Sequence, residues 1–353
     1  MPHDLFGTLI IAAPMAGGTS TPAFVQAVHN AGGLGFLAAG YKSVPAMQAE
    51  IRSTRASGAR FGMNVFVPDP AQLAPSPAVR AQLEDYRSRL RADAGRYGVE
   101  LPALRLDDDD EWQGKIDALL EDPVELVSFA FGLPGPDVVR ALHRAGSSVI
   151  ATVTTPAEAR QAAEQSVDAL VVQHASGGGH SAAFLPVPPS GSHGPGSQQP
   201  GSQQPDTTAE LLARVRSAVE LPLVAAGGIM DPAGLEAVLA AGAQAAQLGT
   251  AFLRSDESGA RQLHKDALAS AHFIRTRLTR AFTGRQARAL ENEFVRDHPE
   301  APEAYPAVHH LTAPLRAAAA AAGDAERLNL WAGTGWQQAQ AGPVAAIVER
   351  LLG

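Results

Sequence analysis

The feature that most constrains this chain's fold is a repeated alternation of short apolar segments with alanine-rich helical segments. About eight such apolar segments follow one another between residues 9 and 253. They are LIIAAP, LGFLAA, FGMNVFV, LVSFAFG, SVIATV, DALVVQ, LPLVAAGG and AAQLGTAFL. Nearly continuous apolar strands are expected where helices cover both faces of a sheet. The alternation predicts a parallel α/β sheet, and eight units favour a closed (β/α)8 barrel over an open doubly wound sheet, although periodicity alone does not decide closure.

Local signals mark where the intervening helices begin and end. Thr21 is suited to cap the first helix, Pro22 to occupy its first position, and Gly32 to end it. The next helical pattern runs from about Val44 to Ser57.

Two segments interrupt the alternation and suggest a division of the chain. We expect the barrel to comprise residues 1–67 and 123–260. Residues 68–122 and 261–353 are predicted to be mostly helical, forming a smaller cap that packs partly on the barrel.

Two polar stretches are predicted to be loops. The block Asp107–Asp110 offers carboxylates for a cation, but blocks of like charge usually form solvated loops, and we expect one here. The tandem GSQQP repeat at residues 196–205 lacks the apolar residues needed for a packed structure. It is predicted to form a mobile loop or lid directly after the sixth strand.

Composition excludes several classes of protein. The formal net charge of -8 argues against a general nucleic-acid binder. The absence of cysteine removes disulfides, iron–sulfur clusters, thiolate zinc sites and any cysteine nucleophile, and no other metal site is predicted. We expect neither a membrane span nor a signal peptide, because the apolar runs are short and the N-terminus lacks a basic region. The expectation is therefore a cytoplasmic protein, monomeric or homodimeric.

Glycines at two predicted strand ends suggest a binding site for phosphate. Gly227 and Gly228 follow the seventh strand, and Gln247, Gly249 and Thr250 lie in or after the eighth. Adjacent strands ending this way bring bare backbone N–H groups side by side, as in the phosphate sites of many barrels. The alternative is that each glycine serves only a tight turn between strand and helix.

The stretch VVQHASGGGH, residues 171–180, is the strongest candidate for an active site. A lone histidine is usually structural, but His180 ends a glycine-rich exit on the face where barrels bind ligands. An imidazole there is suited to removing a proton from a carbon acid or to binding an anion. His174 has no comparable argument, and a supporting role is as plausible as none.

The ordered set of these motifs resembles the nitronate monooxygenase family, formerly called 2-nitropropane dioxygenases. The resemblance rests on IIAAPMAGG, FGMNVFVP, VSFAFGLP, LPLVAAGGI and QLGTAFL, and on the C-terminal YPAVHHLTAPLR and LWAGTG. It covers nearly the whole chain. It implies an FMN-dependent barrel enzyme that oxidises alkyl nitronates, and nitroalkanes in some cases, with O2 to carbonyl compounds and nitrite.

The resemblance also implies roles for individual residues. His180 would be catalytic, and Tyr305 would line the substrate side. The residues implied to contact FMN are Met15, Asn64, Gln173, Gly178, Gly228, Gln247, Leu248, Gly249 and Thr250. The chain departs from the family's usual pattern at His174, Ser176 and Gly177 in the VVQHASGGGH stretch and at Ser181 directly after it.

Two other functions are compatible with the same motifs. An FMN-dependent enoyl reductase would use NAD(P)H to reduce a C=C bond and shares the GGH and AAGGI motifs. A non-catalytic flavin-binding partner in a biosynthetic complex is the third possibility.

Overall fold

The computed structural model describes residues 5–185 and 207–353, and its centre is a closed eight-stranded parallel barrel. The predicted repeat at residues 196–205 lies outside the described residues. The barrel strands follow the order β1-β2-β3-β4-β5-β6-β8-β9, which confirms the predicted (β/α)8 fold. They are β1 (Ile10–Ala12), β2 (Leu34–Ala38), β3 (Phe61–Phe66), β4 (Leu126–Ala130), β5 (Ser148–Val153), β6 (Ala169–Gln173), β8 (Leu223–Ala226) and β9 (Ala245–Leu248).

A ring of helices surrounds the barrel. Its members are α1 (Pro22–Asn30), α2 (Val44–Ala56), α6 (Trp112–Glu121), α7 (Pro136–Ala145), α8 (Pro156–Glu164), α9 (Thr208–Arg216), α10 (Pro232–Ala240) and α14 (Val344–Leu352). Thr21 is the N-terminal capping residue of α1, as predicted, since its side chain accepts a hydrogen bond from the N–H of Phe24. The last helix, α14, packs against α1 and α10 and so occupies the eighth position of the ring.

Alternate residues of each strand enter two different apolar layers. In β1, Ile10 and Ala12 face the layer between strands and helices, whereas Ile11 faces the barrel interior. Phe36 of β2 is likewise interior, and its neighbour Leu37 packs under the helices. The barrel is therefore a filled core, and a ligand can bind only at its ends.

Further elements interrupt the repeat and build a second apolar core. The insertion after β3 contains α3 (Pro70–Leu73), α4 (Pro77–Arg89) and α5 (Arg91–Tyr97). The segment after β9 contains α11 (Gln262–Ala269), α12 (Glu293–Asp297) and α13 (Ala307–Ala321), with short 3₁₀ turns at Thr250–Phe252, Ala325–Arg327 and Trp336–Gln338. Tyr86 of α4 is fully buried beside Phe282, Phe294 and Leu311. The insertion and the C-terminal segment thus share one core, and we call this second body the cap.

The cap also contains a small antiparallel sheet that the sequence did not predict. Its order is β10 (Thr276–Thr279), β11 (Ala287–Leu290) and β7 (Gly179–His180). His180 pairs with Ala287, so this sheet joins the exit of β6 to the cap. Strands of two to four residues carry too little alternation to be detected by periodicity.

The prediction of a solvated loop at Asp107–Asp110 is wrong for two of its four residues. Asp107 and Asp109 are exposed, but Asp108 contacts His310, with Oδ2 2.7 Å from Nε2. Asp110 accepts a hydrogen bond from the N–H of Tyr41, and its Oδ2 lies 2.8 Å from Nζ of Lys115. Lys115 is fully buried and also donates to the carbonyl of Ala39 at the end of β2.

Within the described residues, none of the helices is both long enough and apolar enough to cross a membrane.

The Lys115–Asp110 pair gives a prediction about stability. Lys115→Met should destabilise the fold by about 3–5 kcal/mol near pH 8, because it leaves a buried carboxylate without its cation. Burial already raises the pKa of Asp110 to about 6, and loss of Lys115 raises it further. The folded variant is therefore protonated at a pH where wild type is not, so its penalty should shrink as the pH falls from 8 toward 6 and level off below 6, where the wild-type carboxyl also takes up the proton.

Urea unfolding of wild type and Lys115→Met at pH 8 and at pH 6 measures this penalty. The double variant Lys115→Met/Asp110→Asn is the control, because it has no carboxylate to titrate. An equal penalty at both pH values for Lys115→Met would contradict the electrostatic explanation.

Candidate active site

A cavity of about 300 Å³ opens where the barrel strands end. Among the described residues that line it there is no aspartate or glutamate, whereas two cations, Arg261 and Arg316, are present. The sequence-predicted residues that line it are Met15, Asn64, Gln173, Gly178, His180, Gly228, Gln247, Leu248, Gly249 and Thr250. The structure therefore brings together ten of the eleven predicted site residues.

The glycines after β8 and β9 present unused backbone donors. Strands β8 and β9 are hydrogen-bonded neighbours, with Ala226 opposite Gln247. Within the described ranges, the N–H groups of Gly228 and Gly249 make no hydrogen bond to protein. Gly228 has φ of +72°, a conformation that glycine adopts without strain. Two unpaired N–H groups on adjacent strand ends are suited to an anion such as a phosphate group.

Gly178 serves a different purpose, because protein backbone lies against it. A Cβ at this position would be 2.6 Å from the carbonyl carbon of Ala332 and from the nitrogen of Gly333. The N–H of Gly333 donates to Oγ1 of Thr250, and that of Thr334 donates to the carbonyl of Ser176. The LWAGTG segment of the cap is thereby held against the β6 exit and completes one wall of the cavity.

Gln173 holds the same exit from the other side. Its Nε2 donates to the carbonyl of His180 at 3.1 Å, and its Oε1 accepts from the N–H of Ala182 at 2.8 Å. Asn64 is similarly engaged, since its Nδ2 donates to the carbonyl and hydroxyl of Ser128. Both amides line the cavity while fixing neighbouring protein groups.

Glu158, which was not identified from the sequence, holds the residues that follow Ala182 in the chain. This buried carboxylate accepts from the backbone N–H groups of Phe184 and Leu185 through Oε1 and from Thr154 through Oε2. His174 and Ser176, where the chain departs from the family pattern, bind each other, with Nδ1 2.8 Å from Oγ. His174 thus has a hydrogen-bond partner within the VVQHASGGGH stretch.

His180 sits in an aromatic setting at the cavity wall. Its ring centroid lies 5.2 Å from that of Trp331, 5.6 Å from Phe131 and 6.0 Å from Tyr305. Its Nε2 lies 2.9 Å from the hydroxyl of Thr283. Burial, followed by the charges of Arg285 and Arg316, lowers the pKa of His180 to about 3. The imidazole is therefore neutral at physiological pH, with one of its ring nitrogens unprotonated.

Two guanidinium groups from the cap surround this histidine. Arg285 donates to the carbonyls of Ser181 and Ala183, and its Cζ lies 3.9 Å from the ring centroid of Phe131. Arg316 donates to Thr312, to His309 and, at 3.5 Å, to Asn329. Burial lowers the pKa of Arg316 to about 10, so it remains charged. No carboxylate of a described residue is among the charges that act on Arg316, which lines the main cavity, and this favours an anionic ligand there.

Tyr305 is the one predicted site residue that does not line the main cavity. It lines a smaller adjoining cavity together with Asp110 and Arg285, and Tyr41 and Phe131 line both. Its ring lies 6.4 Å from that of Tyr41. Burial raises the pKa values of both phenols, to about 12 for Tyr41, so both are neutral.

Several residues at the site were not found from the sequence. Tyr41 and Phe131 follow barrel strands and have φ of +67° and +75°, unusual for residues other than glycine. The strand-end rule that located Gln173 could have located these two. Arg285 and Arg316 come from the cap, and no local pattern distinguishes them from other arginines.

Comparison with known proteins places the chain in a family. The model of the nitronate monooxygenase family matches residues 3–353. A probable nitronate monooxygenase of Staphylococcus aureus (strain MSSA476) is 33% identical over 348 residues, covering 97% of this chain and 93% of that protein.

Solved structures agree with that match. Nitroalkane oxidase from Streptomyces ansochromogenes is 47% identical and superposes with a TM-score of 0.88, over 99% of this chain and 95% of that one. FabK from Thermotoga maritima is 25% identical, with a TM-score of 0.72 over 99% and 93% of the two chains.

The fold and these relatives define an oxidoreductase built on a (β/α)8 barrel and acting on a small molecule. The chain belongs to the nitronate monooxygenase family, whose activity is the oxidation of nitronates or nitroalkanes.

The close approach at Gly178 gives a prediction. Gly178→Ala should destabilise the protein by about 1–3 kcal/mol, because the added methyl group forces the LWAGTG segment away from the β6 exit. The urea midpoint measures the change.

Gly95→Ala is the matched control, since a Cβ at that exposed helical position meets no atom within 4 Å. It should be neutral or stabilising by about 0.5–1 kcal/mol. Equal stability of Gly178→Ala and wild type would show that the backbone contact is not tight.

Proposed function

We propose that the cavity binds FMN and that the protein uses it to oxidise alkyl nitronates with O2 to carbonyl compounds and nitrite. The residues present fit the cofactor. The unpaired N–H groups of Gly228 and Gly249 suit a phosphate, and the absence of carboxylates from the lining avoids repulsion of that dianion.

In this proposal the predicted cofactor residues act in two groups. Gly228 and the run Gln247, Leu248, Gly249 and Thr250 would hold the ribityl phosphate, and Gly178, predicted to join them, would act by letting the LWAGTG segment close the cavity wall. Met15, Asn64 and Gln173 lie along the isoalloxazine or ribityl part, with Gln173 also keeping its clamp on His180. When bound, FMN supplies the redox chemistry by accepting electrons from the substrate and passing them to O2.

The charge distribution around His180 is the observation that carries the choice of substrate. The charges of Arg285 and Arg316 act on a neutral imidazole, and Arg316 lines the main cavity, where none of the described lining residues is a carboxylate. This environment stabilises an anion, and a nitronate is the anionic conjugate base of a nitroalkane.

A neutral nitroalkane would need one more step, which His180 is placed to perform. The Cα–H bond breaks, its electron pair moves into the nitro group, and the proton passes to the imidazole. The product is the nitronate, which Arg316 then holds. The aromatic rings of Phe131 and Trp331 exclude water from this transfer.

Anaerobic reduction of the FMN-loaded protein tests the proposal against its rivals. Ethyl nitronate, propionate-3-nitronate, nitroethane and NADPH are compared as reductants. Bleaching of the flavin by a nitronate but not by NADPH is the expected result. Rapid bleaching by NADPH alone would favour the enoyl reductase alternative, and no response to any reductant would favour a non-catalytic flavin-binding partner.

His180 gives a prediction about pH. Because its pKa is lowered to about 3, kcat/KM for nitroethane should show no acidic inflection near the ordinary histidine value of about 6.5. Activity should fall only as the imidazole is protonated at much lower pH. His180→Asn should reduce nitroethane oxidation by roughly 10²–10⁴-fold while affecting the preformed nitronate much less.

Steady-state oxygen consumption from about pH 5 to pH 8 measures the pH dependence of kcat/KM in wild type and the loss of nitroethane oxidation in His180→Asn. Nitroethane turnover by His180→Asn at the wild-type rate would remove His180 from the mechanism.

Arg316 gives a prediction about substrate charge. Arg316→Met should raise KM for ethyl nitronate roughly tenfold to a hundredfold, the effect of losing about 1.5–3 kcal/mol of interaction with a charged group. KM for neutral nitroethane should change less. Arg316→Lys keeps the charge and should recover part of the loss, and equal losses for both substrates would show that Arg316 acts on folding alone.

A further inference from the structure

The contact between His180 and Thr283 has a consequence for the proton on the imidazole. Thr283 lies between β10 and β11 and is 2% exposed. Its Oγ1 is 2.9 Å from Nε2 of His180, 3.3 Å from the carbonyl oxygen of Arg285 and 3.4 Å from the N–H of Arg285. Three polar groups thus converge on one hydroxyl, which has a single proton to donate.

Two arrangements of the protons are conceivable, and they differ in what they leave unpaired. In the first, the hydroxyl donates to the carbonyl of Arg285 and accepts from Nε2–H of His180. Every donor then has an acceptor, and the lone pair of the neutral imidazole lies on Nδ1. Within residues 5–185 and 207–353, no hydrogen bond involves Nδ1.

In the second arrangement the hydroxyl donates to Nε2, so the neutral imidazole carries its proton on Nδ1. That N–H would have no acceptor among the described residues, since no hydrogen bond of theirs involves Nδ1. The carbonyl of Arg285 would lose its hydrogen bond as well, since no other described group donates to it. A buried polar group without a partner is costly, so the first arrangement is favoured.

We infer that Thr283 is a positioning residue that holds His180 in the Nε2–H tautomer and thereby makes Nδ1 the atom that receives a proton. The catalytic consequence rests on the proposed function; the tautomer itself does not. The hydrogen bond made by one imidazole nitrogen decides which nitrogen is free, as in other enzymes that use histidine as a base.

The proton transfer then has a defined route. The Cα–H bond of a neutral nitroalkane breaks, the proton forms a bond to Nδ1, and the electron pair enters the nitro group. Nε2–H stays bound to Thr283 throughout. A preformed nitronate needs no such transfer, so its oxidation does not depend on Thr283.

Nuclear magnetic resonance reads the tautomer directly. The holoenzyme is labelled with ¹⁵N at histidine, and two-bond ¹H–¹⁵N correlations distinguish protonated from unprotonated ring nitrogens. His180→Asn assigns the signals among the 11 histidines. The expected spectrum has a protonated Nε2 and an unprotonated Nδ1. A protonated Nδ1 in wild type would overturn the inference without any variant having to fold.

Kinetics of Thr283→Val test the consequence. This near-isosteric variant should lose about tenfold to a hundredfold in kcat for nitroethane and change less than about twofold for ethyl nitronate, because only the first substrate requires the base. Its His180 signals should shift toward the other tautomer. Thr283→Ser keeps the hydroxyl and should retain both the wild-type tautomer and nitroethane activity.

Thr54→Val is the matched control, since Thr54 is equally buried but its hydroxyl has no hydrogen-bond partner. It should leave both activities unchanged. Equal losses for nitroethane and nitronate in Thr283→Val would indicate a purely structural role and overturn the inference. If no substrate reduces the flavin in wild type, the proposed function fails, and the wild-type spectrum still decides the tautomer.

Discussion

Closure of the barrel between β1 and β9 is the constraint on which the rest of the structure depends. Ile11 pairs with Gln247, and the N–H of Ala13 donates to the carbonyl of Leu248 at 2.9 Å. In an open sheet these two strands could lie at opposite edges. Closure instead places Met15 beside Gly249 and brings all eight strand ends to one rim. The cavity exists because the first and last strands of the repeat are neighbours.

The barrel supplies the backbone of the site, and the cap supplies much of its electrostatic environment. His180 leaves β6 through the glycine-rich exit, but Thr283, Arg285 and Arg316 all belong to the cap. Burial by aromatic rings removes water, which lowers the imidazole pKa before any charge is considered. The two guanidinium groups act in the same direction, so one arrangement keeps the imidazole neutral and places positive charge beside it.

The sequence predicted the parts of the fold and site that depend on local patterns. Gln173, His180, Gly228 and Gly249 were found because each follows a recognisable strand, and closure then brings strand ends together. Thr283 could not be found this way. It is 103 residues from His180 in the chain. The two come together because β7, which contains His180 and has only two residues, pairs with β11 of the cap.

The acidic run shows a second limit of local patterns. Four consecutive aspartates are typical of a solvated loop, and Asp107 and Asp109 fit that description. Asp110 does not, because Lys115 is buried beneath it and needs a counter-charge. Whether a charge in such a run is buried depends on partners that the run itself does not contain.

The glycines illustrate how one pattern can have two physical causes. The family resemblance implied that Gly178, Gly228 and Gly249 all contact FMN. Gly178 is instead required by the backbone of Ala332 and Gly333, whereas Gly228 and Gly249 retain free N–H groups. The backbone contact at Gly178 fixes the cap against the barrel, whereas Gly228 and Gly249 line the cavity. A ligand at Gly228 and Gly249 would therefore be enclosed by a wall whose position Gly178 determines, so under the proposed function cofactor binding would depend on how the cap is docked.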